Sequence, residues 1–214
     1  MKDVEGRRVS YAAKKPGEKN NLLKARRQSY SASDRCERGR ELRRLRDLRG
    51  AESEFRTALI IDPRCINAHI YLAVVLNEQG DKRGAEDEYR ATLTMFPRNF
   101  LAHYNLGNLL ESSAEKVAML RAAVNIDPSN ADAHYNLGNA LFDGSPTSDL
   151  SEIEAEYRAA VKINPDVPEF HFNLALALNS QGHVGEAEVE YQAAKEIDPS
   201  EYSAQALALY LTAN

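Results

Sequence analysis

The sequence predicts an all-α fold, a solenoid of antiparallel helix pairs, and three observations carry that prediction. Five prolines, Pro63, Pro97, Pro128, Pro165 and Pro199, recur at intervals of 34, 31, 37 and 34 residues. Four of them follow Ile-Asp or Ile-Asn, at Ile61-Asp62, Ile126-Asp127, Ile163-Asn164 and Ile197-Asp198. Upstream sit near-copies of one string: His103-Tyr104-Asn105-Leu106-Gly107-Asn108, His134-Tyr135-Asn136-Leu137-Gly138-Asn139 and His171-Phe172-Asn173-Leu174-Ala175-Leu176. A period of this length marks stacked helix pairs, none of which buries its apolar face alone.

In chain order, residues 1–31 read as a basic, disordered tail, too poor in apolar side chains to offset the entropy of ordering. Five repeats follow, at 32–65, 66–99, 100–130, 131–167 and 168–201, and residues 202–214 read as one capping helix over the last apolar face. The repeat at 168–201 is the cleanest. Pro168 suits the first turn of a helix, where its missing N–H costs nothing. Phe172, Leu174, Ala175 and Leu178 supply its apolar stripe. Gln181-Gly182-His183 turns the chain, and a second helix runs from about Gly185 to Ile197 with Ala187, Tyr191 and Ala194 inward. Asp198-Pro199 stops it. In the third repeat the turn between helices is three residues shorter, and in the fourth three longer, which puts Lys116 and Ile153 where a small residue is expected. Either the packing differs there or the register slips.

Composition narrows the function. The 214 residues are 43% hydrophobic and 28% charged, and no apolar run approaches the roughly 18 residues a membrane span needs. No secretory signal is visible, and Asp3, Glu5 and Glu18 speak against a transit peptide, so a cytoplasmic or nuclear protein is expected. Cys36 and Cys65 fit no ligand spacing and read as two reduced thiols. The net charge of −5 conceals an asymmetry: residues 1–49 carry +9 and the remainder −14. No phosphate-binding glycine loop, nucleophile elbow or zinc-protease motif occurs, so neither enzyme activity nor a cofactor is expected. Glu152, Glu154 and Glu156 read as a solvated helix face.

The repeats resemble the tetratricopeptide repeat family. Leu72, Leu106, Leu137 and Leu174 occupy its Leu position, and Phe55, Tyr89, Tyr157 and Tyr191 its large wedge position. Small residues pair where the helices cross: Gly39 with Ala51, Ala73 with Ala85, Ala175 with Ala187. His69, His103, His134 and His171 replace its Trp. The resemblance implies a right-handed superhelix whose first helices line a concave groove, and a scaffold or adaptor that binds proteins.

Asn105, Asn136 and Asn173, with Asn108 and Asn139, would then line that groove. Side-chain amides offer a donor and an acceptor that match the backbone of an extended peptide. This Asn set is similar to that of the superhelix of O-linked N-acetylglucosamine transferases, which motivates an alternative, a substrate-presenting module of a glycosyltransferase complex. The competing reading is that Asn-Leu-Gly-Asn is repeat consensus. Asp132, Glu169, Glu78 and Glu111 make the groove side acidic, so the expected partner is an extended neutral or basic segment. Ile70, Val74, Tyr104, Asp132 and Asn136 stand where an acidic-tail clamp needs Lys and Arg. The recurring histidines are too far apart to share a metal and read as packing residues. Arg38, Arg40, Arg43, Arg44, Arg46 and Arg49 read as the solvated face of the first repeat, with RNA attachment through this head as the alternative. Arg26-Arg27-Gln28-Ser29 resembles a basophilic kinase site, making Ser29 a candidate phosphosite.

Overall fold

The computed structural model describes residues 30–144 and 149–202. Ser29, the tail before it, residues 145–148 of the long turn and the expected capping helix beyond Tyr202 lie outside the described residues. Among these the chain is all helical, with α1 Ala32–Arg44, α2 Leu48–Ile61, α3 Ile66–Glu78, α4 Lys82–Met95, α5 Phe100–Leu109, α6 Ser113–Ile126, α7 Ala131–Gly144, α8 Leu150–Ile163, α9 Pro168–Ser180 and α10 Val184–Ile197. The fold is a helical-repeat solenoid. It divides into two compact units, one ending at Val75 and one beginning at Leu76, with the border inside α3.

The periodic prolines set where the even-numbered helices end. Proline pushes the preceding residue out of the helical region, and Asp62, Asp127, Asn164 and Asp198 sit at φ −134°, −131°, −137° and −131°. Each of these residues closes its helix through its own N–H, which donates to the carbonyls of Ala58, Ala123, Ala160 and Ala194. The Asp carboxylates then accept from the backbone two residues on, Arg64 N–H at 3.0 Å, Ser129 N–H at 3.1 Å and Ser200 N–H at 2.9 Å. That bond is why Asp or Asn precedes the proline: the side chain makes the turn that the proline cannot.

The next helix starts on a cap. Ser31 and Asp34 form a capping box at α1, Asn99 accepts from Ala102 N–H at 2.8 Å, and Asn130 accepts from Ala133 N–H at 2.9 Å. Pro168 occupies the first turn of α9, as its position predicts. The short turns after α1, α3 and α9 need a left-handed residue, and Arg46, Gly80 and Gly182 take φ of 64°, 89° and 80°.

In the first unit Ala51, Phe55 and Ala58 of α2 are fully buried. A side chain at Gly39 would lie 2.7 Å from the Phe55 ring. The wedge residue, rather than the small residue facing it, is therefore what Gly39 makes room for. In the second unit Leu120, Leu137, Ile153, Tyr157, Leu174, Leu178, Ala187 and Tyr191 form one core. Gly107 faces Leu120 and Gly138 faces Tyr157 in the manner of Gly39 and Phe55. Phe55, Tyr89, Leu120, Tyr157 and Tyr191 each stand eight residues before the proline and are buried. The register does not slip in the irregular third and fourth repeats. The third repeat loses its three residues from the end of α5, which has 10 residues where α1, α3 and α9 have 13, the fourth adds its extra residues in α7 and between α7 and α8, and Ile153 is buried at the small position with 1% exposure.

The last described residue, Tyr202, packs on Phe172 at 5.0 Å, and its carbonyl accepts from the Tyr191 hydroxyl at 3.2 Å. Gly138→Ala tests the close approach: the new Cβ would fall 2.6 Å from a Tyr157 ring that is itself buried. A loss of about 1–2 kcal/mol is expected in denaturant melts, the overlap outweighing the better helix propensity of Ala.

Candidate functional site

The recurring histidines belong to the turns. Nε2–H of His69, His103, His134 and His171 donates to the carbonyl of the proline six residues before it, Pro63, Pro97, Pro128 and Pro165, at 3.1, 3.0, 3.1 and 2.9 Å. Nδ1 of His134 and His171 meets Glu156 and Glu190 at 2.6 and 2.7 Å. In the third repeat the position of these carboxylates, nine residues before the proline, is Met119, and the buried His103 Nδ1 has no hydrogen-bond partner. Met119→Glu would supply that partner. An increase of about 1 kcal/mol in stability is expected on urea unfolding near neutral pH. Among the described residues no group of three or more His, Cys, Asp or Glu could hold a metal ion.

Glu152, Glu154 and Glu156 are not a solvated face. Glu152 takes Arg121 at 2.6 Å, Glu154 takes Arg158 at 2.6 Å and Gln181 at 2.8 Å, and Glu156 takes His134. The Arg158 bond holds the Glu154 carboxyl below the usual carboxylate range. Arg90, Arg121 and Arg158 each follow the wedge residue and reach a glutamate at the start of the next even-numbered helix, Glu115, Glu152 and Glu186. The signal, an Arg after four of the five wedge residues, was present in the sequence but had no meaning until the helices were stacked. Three arginines of the first repeat have partners while staying on its surface. Arg38 pairs with Glu54 at 3.2 Å, Arg44 with Glu41 at 3.0 Å, and Arg40 lies over the Tyr71 ring at 5.3 Å.

The asparagines form a network with tyrosine hydroxyls. Asn136 donates from Nδ2 to the Tyr104 hydroxyl at 2.9 Å, one repeat back. Asn173 donates to the Tyr135 hydroxyl at 3.1 Å and to Asn139 Oδ1 at 2.9 Å. Asn139 Oδ1 also accepts from the Tyr157 hydroxyl at 2.8 Å. Asn108, exposed, bonds to Tyr104, and Asn105 is half-buried. Asn139 and Asn173 meet in a cleft of about 270 Å³, lined also by Phe142, Asp143, Tyr157 and Leu176. Its volume is below the roughly 300–1,000 Å³ of small-molecule sites and suits one or two side chains of a larger ligand. Sequence reasoning missed Phe142 and Asp143, which follow the repeated string and depart from it in each copy.

Burial raises the hydroxyl pKa of Tyr104 and Tyr157, with Asp132 and Asp143 adding to it, and pushes Tyr202 up to about 12. These groups keep their protons in the fold, whereas the unfolded chain releases them near the ordinary tyrosine value of 10.0. Their contribution to stability is complete below that pH and is lost above it. Thermal melts by circular dichroism should be independent of these groups at about pH 8 and show a lower midpoint at about pH 11.

A stack of helix pairs with interlocked turns and an amide-lined cleft defines a helical-repeat protein of the protein-interaction class. The tetratricopeptide repeat model matches residues 36–93, 78–118 and 154–202, and a second TPR repeat model matches 117–144. The chain belongs to the tetratricopeptide repeat family. No curated protein matches it in sequence. It is similar in fold to YrrB, described as a TPR protein with an unusual peptide-binding site, at 18% identity and a TM-score of 0.69, over 91% of this chain and 96% of that one. It is also similar to MamA from Desulfovibrio magneticus RS-1, at 20% identity and a TM-score of 0.68, over 80% and 97%. PilF of Pseudomonas aeruginosa aligns at 22% identity and a TM-score of 0.68, over 78% and 76%. The family is generally one of non-catalytic scaffolds with protein partners. No helix among the described residues is long and apolar enough to cross a membrane.

Proposed function

We propose that the chain is a non-catalytic scaffold that holds an extended peptide segment at the cleft between α7 and α9. The observation that carries this reading is how the amides are used. Asn139 engages its carbonyl oxygen twice and Asn173 its amide nitrogen twice. The Asn139 N–H groups and the Asn173 carbonyl remain as one donor and one acceptor in the same cleft, the pair that a strand of peptide backbone requires. Phe142, 45% exposed, and Leu176 offer an apolar rest for a side chain beside them. Asp143 in the cleft, with Asp132 and Glu169 exposed on α7 and α9, favours a neutral or basic segment. The peptide-binding site named for YrrB supports the general form of the reading, though at that identity only the fold is shared.

The test leaves the Asn–Tyr network untouched, because Asn173→Ala would break two bonds between repeats as well as a ligand contact. Peptides selected from a displayed random library against the full chain should be rich in Lys and Arg. Phe142→Ala with Asp143→Lys should weaken them by about tenfold or more, at an unchanged melting temperature. Equal affinity for the double variant would move the binding surface elsewhere.

A further inference from the structure

Cys36 and Cys65 are 29 positions apart in a chain with no other cysteine, yet their sulfurs lie 3.7 Å from each other. Cys36 is on α1 with 4% exposure. Cys65 is half-buried in the turn after Pro63, and its carbonyl accepts from His69 N–H at 3.2 Å, the first bond of α3. Neither sulfur is engaged in a disulfide. We propose that these two cysteines are a built oxidation site, at which hydrogen peroxide converts the thiol pair to a disulfide that fastens α1 to the start of α3.

The geometry requires little movement. A disulfide needs its sulfurs at about 2.05 Å, and Cys65 stands in a turn, where backbone can adjust more cheaply than within a helix. The roles follow from access. The half-exposed Cys65 meets the oxidant: its thiolate attacks the peroxide, the O–O bond breaks, Cys65 becomes a sulfenic acid and hydroxide leaves. Cys36 then attacks the sulfenic sulfur, the S–S bond forms, the S–O bond breaks, and the second oxygen departs as water. Two thiols and one peroxide give one disulfide and two waters. Burial first, and the neighbouring Cys65 after it, push the Cys36 thiol up to about 12, which leaves the first attack to Cys65; when Cys36 attacks, its proton departs with the sulfenic oxygen as water.

The consequence is local. Helices of a repeat array contact only near neighbours and open locally at a fraction of the global unfolding free energy. The bond would close a loop spanning α2 and both adjoining turns and restrict the opening of α1. The experiment treats the reduced full-length chain with stoichiometric hydrogen peroxide, then alkylates it with iodoacetamide. The expected product is a monomer lighter by two hydrogens that takes no alkyl group, joins the Cys36 and Cys65 peptides and reverts with dithiothreitol. Amide exchange across α1 should slow by about tenfold. Cys65→Ser, a change at a half-exposed position, should keep its helicity and show neither effect. Alkylation of both cysteines after peroxide, disulfide-linked dimers, or a sulfinic acid on Cys65 without a link would each overturn the proposal. Unchanged exchange in α1 with the bond in place would overturn the clamp.

Discussion

Everything in this array depends on the turn in which a proline ends one helix pair and a histidine of the next pair takes up its carbonyl. Proline cannot continue a helix and leaves its own carbonyl without a helical partner. In four successive turns the ring of His69, His103, His134 or His171 donates to that oxygen. Each bond is worth only about 1 kcal/mol net, but leaving a buried group unmet costs more, so the arrangement repeats with little variation. The carboxylate of Glu156 or Glu190 holds the other ring nitrogen and ties the same histidine to the second helix of its pair. One side chain thus joins a turn, the helix after it and that helix's partner.

With entry and exit angles held in this way, the remaining contacts become periodic. The wedge residue stands at a constant distance from the proline and fills the space left by a glycine or other small residue on the paired helix. The arginine after it points toward the next even-numbered helix and finds a glutamate. Such partly exposed pairs contribute modestly one at a time, roughly 0–1 kcal/mol, and matter here for repeating on one face. The repeat at 168–201 has Gln192 in place of the arginine.

The asparagines tie one repeat to the next. Their bonds to Tyr104 and Tyr135 connect successive odd-numbered helices, the bond of Asn139 with Tyr157 joins α7 to its partner α8, and the same bonds orient the amides at the cleft. The repeated Asn-Leu-Gly-Asn string thus has a structural use in joining one repeat to the next.

The sequence alone determined the helical repeat, because proline, the Asp before it and the apolar stripes act through local backbone chemistry that is visible in a line of text. It also determined which side chains face the core, since a wedge residue counted from the proline needs no tertiary knowledge. Only the tertiary structure decided what lies beside what across repeats: the histidine at the proline carbonyl, the glutamates taken by arginines one repeat away, the cleft of Asn139 and Asn173 with Phe142 and Asp143, and the contact of Cys36 with Cys65. Those relations join residues that the period separates by about thirty positions. They depend on how helices stack, which is a property of the packed array and is written at no single position of the chain.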